Sequence, residues 1–270
     1  GLETYRITPR AEQAWSGTGR AGRTKTLGSV GDIVVDSEKS PIRQRCNPMR
    51  VLVVRHYKTL GNANNQILGW GDSPRVKEWA DDLEAVDARL RAAGVTIDAI
   101  YSSFLERSRQ TAMFYARKRG MLVVNDAQAL NEINYGALYR KDKGWVKEHY
   151  PEHKKNPDFV YPEGESFRQM QARSVAYLLG LEREHPEHCL LVVVHAGVIR
   201  GLVCALLGLD YAANLKRRIG HRYIGDFLIR NGVCLSYDEL GEPSGFAARE
   251  VIELPYRRVE TRLQPALVSG

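Results

Sequence analysis

No apolar run in this 270-residue chain approaches the roughly 20 residues a membrane-spanning helix needs. The N-terminus has no apolar centre of the kind a secretory signal carries. The expectation is a cytoplasmic protein with no membrane partner. Cysteine is scarce: Cys46, Cys189, Cys204 and Cys234 show no CxxC spacing, and three lie in or beside apolar runs. They read as reduced, structural thiols rather than as a disulfide framework or a metal site. HxH, HExxH and Asp-rich spacings are missing too, so no metal and no cofactor are expected. Nor is there a block of basic residues: 39 Lys and Arg against 32 Asp and Glu give +7, spread along the chain. That distribution gives little support for nucleic-acid binding, and a small anionic substrate accounts for it equally well. Gly17, Gly19 and Gly22 spell GxGxxG, but no apolar strand precedes them and no helix follows, so the dinucleotide fingerprint lacks its context.

What is present is an ordinary balance for a folded protein, 43% hydrophobic and 26% charged. Residues 1–48 are rich in Gly, Ser, Arg and Thr and poor in large apolar side chains. With eight basic and five acidic residues they supply +3 of the net charge, which makes no strong basic arm. They are expected to be a largely mobile extension, with Met49 a candidate natural start and residues 49–270 one domain. From residue 50, short β-branched runs alternate with helical stretches. Strands are expected at Val51 to Val54, Ile97 to Tyr101, Met121 to Val124 and Leu190 to Val194. Helices are expected from Trp79 to Ala93 and Leu105 to Arg119, closed by Gly94 and Gly120, and from Phe167 to Glu184 behind a Ser166/Gln169 capping box. One more helix follows His195 and ends near Gly208, residues 131–162 look irregular, and 223–238 and 247–254 look like closing strands, with a hairpin at Asn231–Gly232. The pattern predicts an α/β fold of three layers, a mostly parallel sheet flanked by helices.

Two buried strands end in histidine: Val51–Leu52–Val53–Val54–Arg55–His56 and Leu190–Leu191–Val192–Val193–Val194–His195. In open α/β sheets the crevice at the carboxyl ends of the strands binds ligands, which brings both imidazoles to one site. A single histidine of this kind is more often a satisfied, partly buried side chain. Two at equivalent strand ends, one preceded by Arg, favour a site.

The surrounding residues resemble the histidine phosphatase superfamily, which includes the cofactor-dependent phosphoglycerate mutases. Its Arg-His-Gly-Glu-Thr opening with a following Asn stands here as Arg55–His56–Tyr57–Lys58–Thr59 with Asn62. Its Ser-Ser-x-Leu-x-Arg-x-x-Gln-Thr-Ala stands as Ser102 to Ala112, nearly complete. Its acid-bearing element is Leu130–Asn131–Glu132–Ile133–Asn134–Tyr135–Gly136, its Gly-Glu-Ser is Gly164–Glu165–Ser166, and its last pattern is His195–Ala196–Gly197–Val198–Ile199–Arg200. Any one of these is weak; five in order are specific, and they span residues 50 to 209. The resemblance implies a phosphohistidine on His56, phosphoryl contacts from Arg55, Arg107 and His195, and Glu132 as acid and then base. It also places Asn62, Thr59 and Ala196 against a small phosphorylated substrate. Tyr57 stands where the family has Gly; it is counted with the substrate contacts, the alternative being that its ring turns away. Gln66 and Leu68 depart from the family's Arg and Gln, so the identity of the substrate does not transfer.

These residue types suit the chemistry. Phosphoryl transfer depends on in-line positioning and neutralised equatorial oxygens, and guanidinium forks supply both. Nearby positive charge favours the neutral, nucleophilic imidazole, whose other nitrogen needs a partner such as a backbone carbonyl. Arg109, Arg173 and Arg200 read as structural or solvent-facing. Expected is a metal-independent phosphatase; a mutase or a non-catalytic phosphate-binding module are the alternatives, and a metal hydrolase is disfavoured by the flanking arginines. A homodimer is compatible with the sequence and not required by it.

Overall fold

The computed structural model describes residues 47–121, 125–215, 217–246 and 249–250. In it, the first β-branched run forms strand β1 (Met49–Arg55), followed by the short helix α1 (Leu60–Ala63) and by α2 (Trp79–Ala92). Strand β2 (Ala99–Ser103), helix α3 (Glu106–Lys118) and strand β3 (Asn125–Ala127) complete the first half. Then come α4 (Lys143–His149), the long α5 (Phe167–Glu184), β4 (Cys189–Val194), α6 (Ala196–Leu206) and α7 (Tyr211–Asn214). Strands β5 (Ile224–Arg230), β6 (Val233–Glu239) and β7 (Arg249–Glu250) close the sheet.

The sheet order is β3-β2-β4-β1-β5-β6-β7. The first four strands pair parallel, as expected from the alternation of strand and helix. The last three add antiparallel to the β1 edge, so the sheet is mixed. Side chains alternate between its faces. Val51, Val53, Leu190, Val192 and Val194 join the apolar layer with α5 and α6, while Leu52, Val54, Leu191 and Val193 join α2 and α3. Burial on both sides is why β1 and β4 read as continuous Val/Leu runs rather than as alternating ones.

The helix ends follow local chemistry. Ser166 Oγ accepts from Gln169 N at 3.2 Å and Gln169 Oε1 accepts from Ser166 N at 2.8 Å, so both donors at the start of α5 are satisfied by the expected capping box. Asn231 and Gly232 both have positive φ (54° and 75°), as a two-residue turn between right-twisting strands requires.

Some expectations shift. The third strand lies at Asn125–Ala127 rather than from Met121 to Val124, of which residues 122–124 fall outside the described residues. The stretch from 131 to 162 holds α4 and two 3-10 turns, Gly136–Leu138 and Pro151–Lys154. Of the strand expected over 247–254, only Arg249–Glu250 is described. The extension expected over residues 1–48 lies, but for Asn47 and Pro48, outside the described residues.

Candidate active site

The register of β1 on β4 places the site. Arg55 pairs with Val194, and His56 N donates to Val194 O at 3.0 Å, so His56 and His195 leave the sheet side by side. Their ring centroids are 5.0 Å apart. Both are buried, 3% and 0% exposed.

Hydrogen bonds assign their protons. His56 Nδ1 lies 2.6 Å from the Tyr57 carbonyl oxygen. A carbonyl only accepts, so Nδ1 carries the hydrogen and Nε2 holds the lone pair. His195 Nε2 lies 2.6 Å from Ser103 Oγ, which also accepts from Leu105 N at 3.3 Å. Among the described contacts the Ser103 hydroxyl hydrogen has no other acceptor, so it goes to Nε2 and leaves Nδ1–H as the donor. That Nδ1 is buried without a partner among the described residues.

The two arginines are held in the same way. Arg107, 2% exposed, donates through Nη1 to Gly71 O at 2.8 Å and through Nη2 to Gly69 O at 2.7 Å. Arg55 Nη1 donates to Ile219 O at 2.5 Å. In both, Nε is buried with no partner among the described residues. Burial pushes the Arg55 guanidinium down to about 10, with Arg200 and Arg107 adding repulsion, and it stays charged at neutral pH. Burial first, then Arg107, His195 and Arg55, hold His56 well below the usual histidine range. His195 is lowered by burial and by Arg107 and Arg55.

Glu132 reaches this group at the start of α6. Its Oε2 accepts from Gly197 N in the first turn of α6 at 3.1 Å, and its Oε1 from Ile133 N at 3.0 Å. Its own carbonyl is clamped by Trp70 Nε1 at 2.7 Å and Arg173 Nη2 at 2.9 Å, and Arg173 is paired with Glu165 at 2.6 Å. Gly197 has no room for a Cβ, because the Glu132 carboxylate occupies that space.

Not every expected contact reaches the site. The Tyr57 ring packs in the layer with α2 and α3, 5.6 Å from Trp79, and its hydroxyl donates to Gln110 at 3.1 Å. Its ring is therefore no substrate contact; its carbonyl, on His56, is what it brings. Thr59 is fully buried and caps α1, accepting from Asn62 N at 3.2 Å, which corrects its place against the substrate. Asn62 Oδ1 returns the bond to Thr59 N at 3.3 Å, leaving the Asn62 amide nitrogen without a partner among the described contacts. Ala196 opens α6 half-buried and has only its backbone to offer. Arg109 pairs with Asp126 at 2.8 Å, as a structural arginine should.

Two site residues escaped the sequence reading. Ser103 sits inside a quoted motif, yet nothing local shows that it meets His195. His221 lies 5.7 Å from the His56 ring and donates from Nδ1 to the His56 carbonyl at 2.8 Å, with no periodic signal to announce it.

The parallel strands β1 and β4 lead into two histidines, with Arg55 at the end of β1, Arg107 in the first turn of α3 and the Glu132 carboxylate on the first turn of α6. The family model described as the histidine phosphatase superfamily (branch 1) matches residues 51–225, and the protein belongs to that superfamily. It is 29% identical over 212 residues to a 2,3-bisphosphoglycerate-dependent phosphoglycerate mutase of Brucella melitensis, a match covering 75% of this chain and 97% of that protein. Its fold is similar to that of a putative α-ribazole-5′-phosphate phosphatase from Escherichia coli, with TM-score 0.62, 22% identity and 73% and 97% of the two chains covered. YhfR of Bacillus stearothermophilus is similar at TM-score 0.61 and 23% identity, over 69% and 94%.

The buried histidines make stability depend on pH. His56 and His195 are held well below 6.5, and His221 is pushed down to about 3 by burial and Arg55. Below 6.5 the unfolded chain takes up protons that the folded chain refuses. Their stabilising contribution is thus complete above 6.5 and is lost as pH falls toward the folded values. Urea-unfolding midpoints should drop steadily from pH 7 to pH 5, less steeply in His221→Asn; a flat profile would contradict the neutral assignment.

Proposed function

We propose that the protein hydrolyses a phosphomonoester through a phosphohistidine on Nε2 of His56. The observation that carries this is the fixed tautomer of His56. With Nδ1–H held on Tyr57 O, Nε2 keeps its lone pair on a ring 5.0 Å from that of His195, and Arg55 Nε, Arg107 Nε and His195 Nδ1 are buried donors without partners among the described contacts. A phosphoryl group satisfies all three.

In the first step Nε2 forms a bond to phosphorus as the ester P–O bond breaks, and the leaving alkoxide takes a proton from Glu132. Water then attacks the phosphohistidine, gives its proton to the Glu132 carboxylate, and frees inorganic phosphate and His56. The Arg55 and Arg107 guanidiniums neutralise the equatorial oxygens through both steps, a task that needs no cation. Asn62 contributes its free amide nitrogen, and the reaction belongs to the cytoplasm.

A mutase is the second reading, because curated relatives at 29% identity carry that name. Returning the phosphoryl group to a reoriented product requires a site closed to water. Between Glu132 and Gly164 this chain has a seven-residue helix, α4, and 3-10 turns, one of four residues at Pro151–Lys154. Such a cover favours water as the acceptor. Supplied with 3-phosphoglycerate and its bisphosphate primer, with and without chelator, the enzyme should release phosphate well in excess of forming 2-phosphoglycerate. Isomer formation above phosphate release would establish the mutase instead.

The role of Glu132 is tested by leaving group. Glu132→Gln should slow hydrolysis of alkyl phosphates about 100-fold or more, and that of nitrophenyl phosphate far less, since nitrophenolate departs without a proton. Equal losses on the two esters would remove Glu132 from the acid role.

A further inference from the structure

Strand β1 ends at Arg55, so the chain through His56, Tyr57 and Lys58 is held by bonds other than those of the sheet. How it is held matters, because the Tyr57 carbonyl sets the tautomer of His56.

The His56–Tyr57 peptide is one rigid trans plane, with the His56 carbonyl on one edge and the Tyr57 amide on the other. Both edges are bonded. Tyr57 N donates to Thr111 Oγ1 at 3.0 Å, and the Thr111 hydroxyl in turn donates to Arg107 O at 2.8 Å. The His56 carbonyl accepts from His221 Nδ1 at 2.8 Å; a carbonyl only accepts, so that nitrogen carries the hydrogen. Two residues beyond the nucleophile, Lys58 O accepts from Val76 N at 3.1 Å. The Tyr57 carbonyl therefore lies between two anchored points, 2.6 Å from His56 Nδ1.

His221 is itself firmly placed. Ile224 of β5 pairs with Val54 of β1, and the antiparallel course of the two strands brings residues 219–222 alongside Arg55 and His56. From the other side, Leu240 N and Glu242 N donate to the carbonyls of Ile224 and Arg222, each at 3.0 Å. Gly241, between them, has no room for a Cβ, because the Arg222 carbonyl takes that place. The Arg222 side chain is tied to Asp82 at 2.7 Å. The same segment holds Arg55, whose Nη1 donates to Ile219 O at 2.5 Å. That bond uses backbone, whereas the His56 carbonyl is held by a side chain that substitution can remove. Burial first, then Arg55, push the His221 imidazole down to about 3, so it is a neutral donor and adds no cation beside the nucleophile.

Resting on the phosphohistidine reading, we infer that His221 is a positioning residue for the nucleophile: its Nδ1–H fixes the His56–Tyr57 peptide in the orientation that turns the Tyr57 carbonyl onto His56 Nδ1. It acts through the backbone and not on the substrate. Thr111 keeps the second edge of the peptide when His221 is lost, so the consequence is slowed attack rather than a dead enzyme. Phosphate binding by the two arginines is left intact.

The test compares wild type, His221→Ala and His221→Asn, all full length. The Asn amide places a donor where Nδ1 stood and should restore what Ala loses. Three quantities are read: the rapid-quench rate of phosphoenzyme formation from nitrophenyl phosphate, inhibition by inorganic phosphate, and the tautomer of His56 from nitrogen-15 histidine spectra, assigned against His56→Ala. In His221→Ala the phosphorylation rate should fall about tenfold or more, the loss expected from a misplaced nucleophile. Inhibition by phosphate should stay within about twofold, because no contact to the anion is lost. The single Nδ1–H pattern of His56 should give way to a mixture of tautomers, and His221→Asn should return both rate and pattern toward wild type. An unchanged rate in His221→Ala, a loss that Asn does not restore, or phosphate inhibition weakened in step with the rate would overturn the inference. A His56 tautomer that depends on His221 in a wild type forming no phosphoenzyme would leave the positioning role standing and bring down the phosphohistidine reading instead.

Discussion

Everything at the site depends on the in-register parallel pairing of β1 with β4. A slip of one residue would turn every side chain of β1 to the other face, exchanging Val51 and Val53 with Leu52 and Val54 between the two apolar layers. The register is therefore held by burial on both sides of the sheet. Its consequence is that Arg55 and Val194 end level, and the next residue on each strand is a histidine. A core constraint thus sets two imidazoles 5.0 Å apart without any direct bond between them.

The site that results holds buried donors that the described residues do not satisfy. Among the described residues Arg55 Nε, Arg107 Nε and His195 Nδ1 are buried donors with nothing to donate to, and each such group costs about 1–3 kcal/mol. Burial first, then Arg107, His195 and Arg55, hold His56 well below the usual histidine range and so keep it neutral. In the proposed reaction a phosphoryl group supplies the missing acceptors, so the unmet hydrogen bonds become part of its binding free energy. The carbonyls of Gly69, Gly71 and Ile219 hold the guanidiniums in place meanwhile, without neutralising them. A carboxylate in their place would compete with the substrate. Glu132, the proposed acid, is instead tethered by two backbone amides, and its loop is braced by Arg173 and Trp70.

Much of this was legible in the sequence because it is local. The Val/Leu runs ending in His56 and His195, the Ser166/Gln169 cap and the Asn231–Gly232 turn each depend on neighbours in the chain. The five ordered motifs placed the superfamily and gathered His56, Arg55, Arg107, Glu132 and His195, which the fold brings together. What the sequence did not show is direction and distance. Tyr57 beside the nucleophile could face the substrate or the core, and only the apolar layer with Trp79 decides for the core. Thr59 could contact a ligand or cap a helix, and a four-residue helix is hard to foresee. Ser103 and His221 act across 92 and 165 residues of sequence, a separation that no period or spacing encodes.

The central claim is that His56 Nε2 takes the phosphoryl group. Mixing enzyme with radiolabelled phosphoester, quenching within one turnover and mapping the labelled peptide tests it directly. The account predicts label that is lost in acid and kept in alkali, on the peptide containing His56, and none in His56→Ala. Label on another residue, or full turnover by His56→Ala, would contradict it.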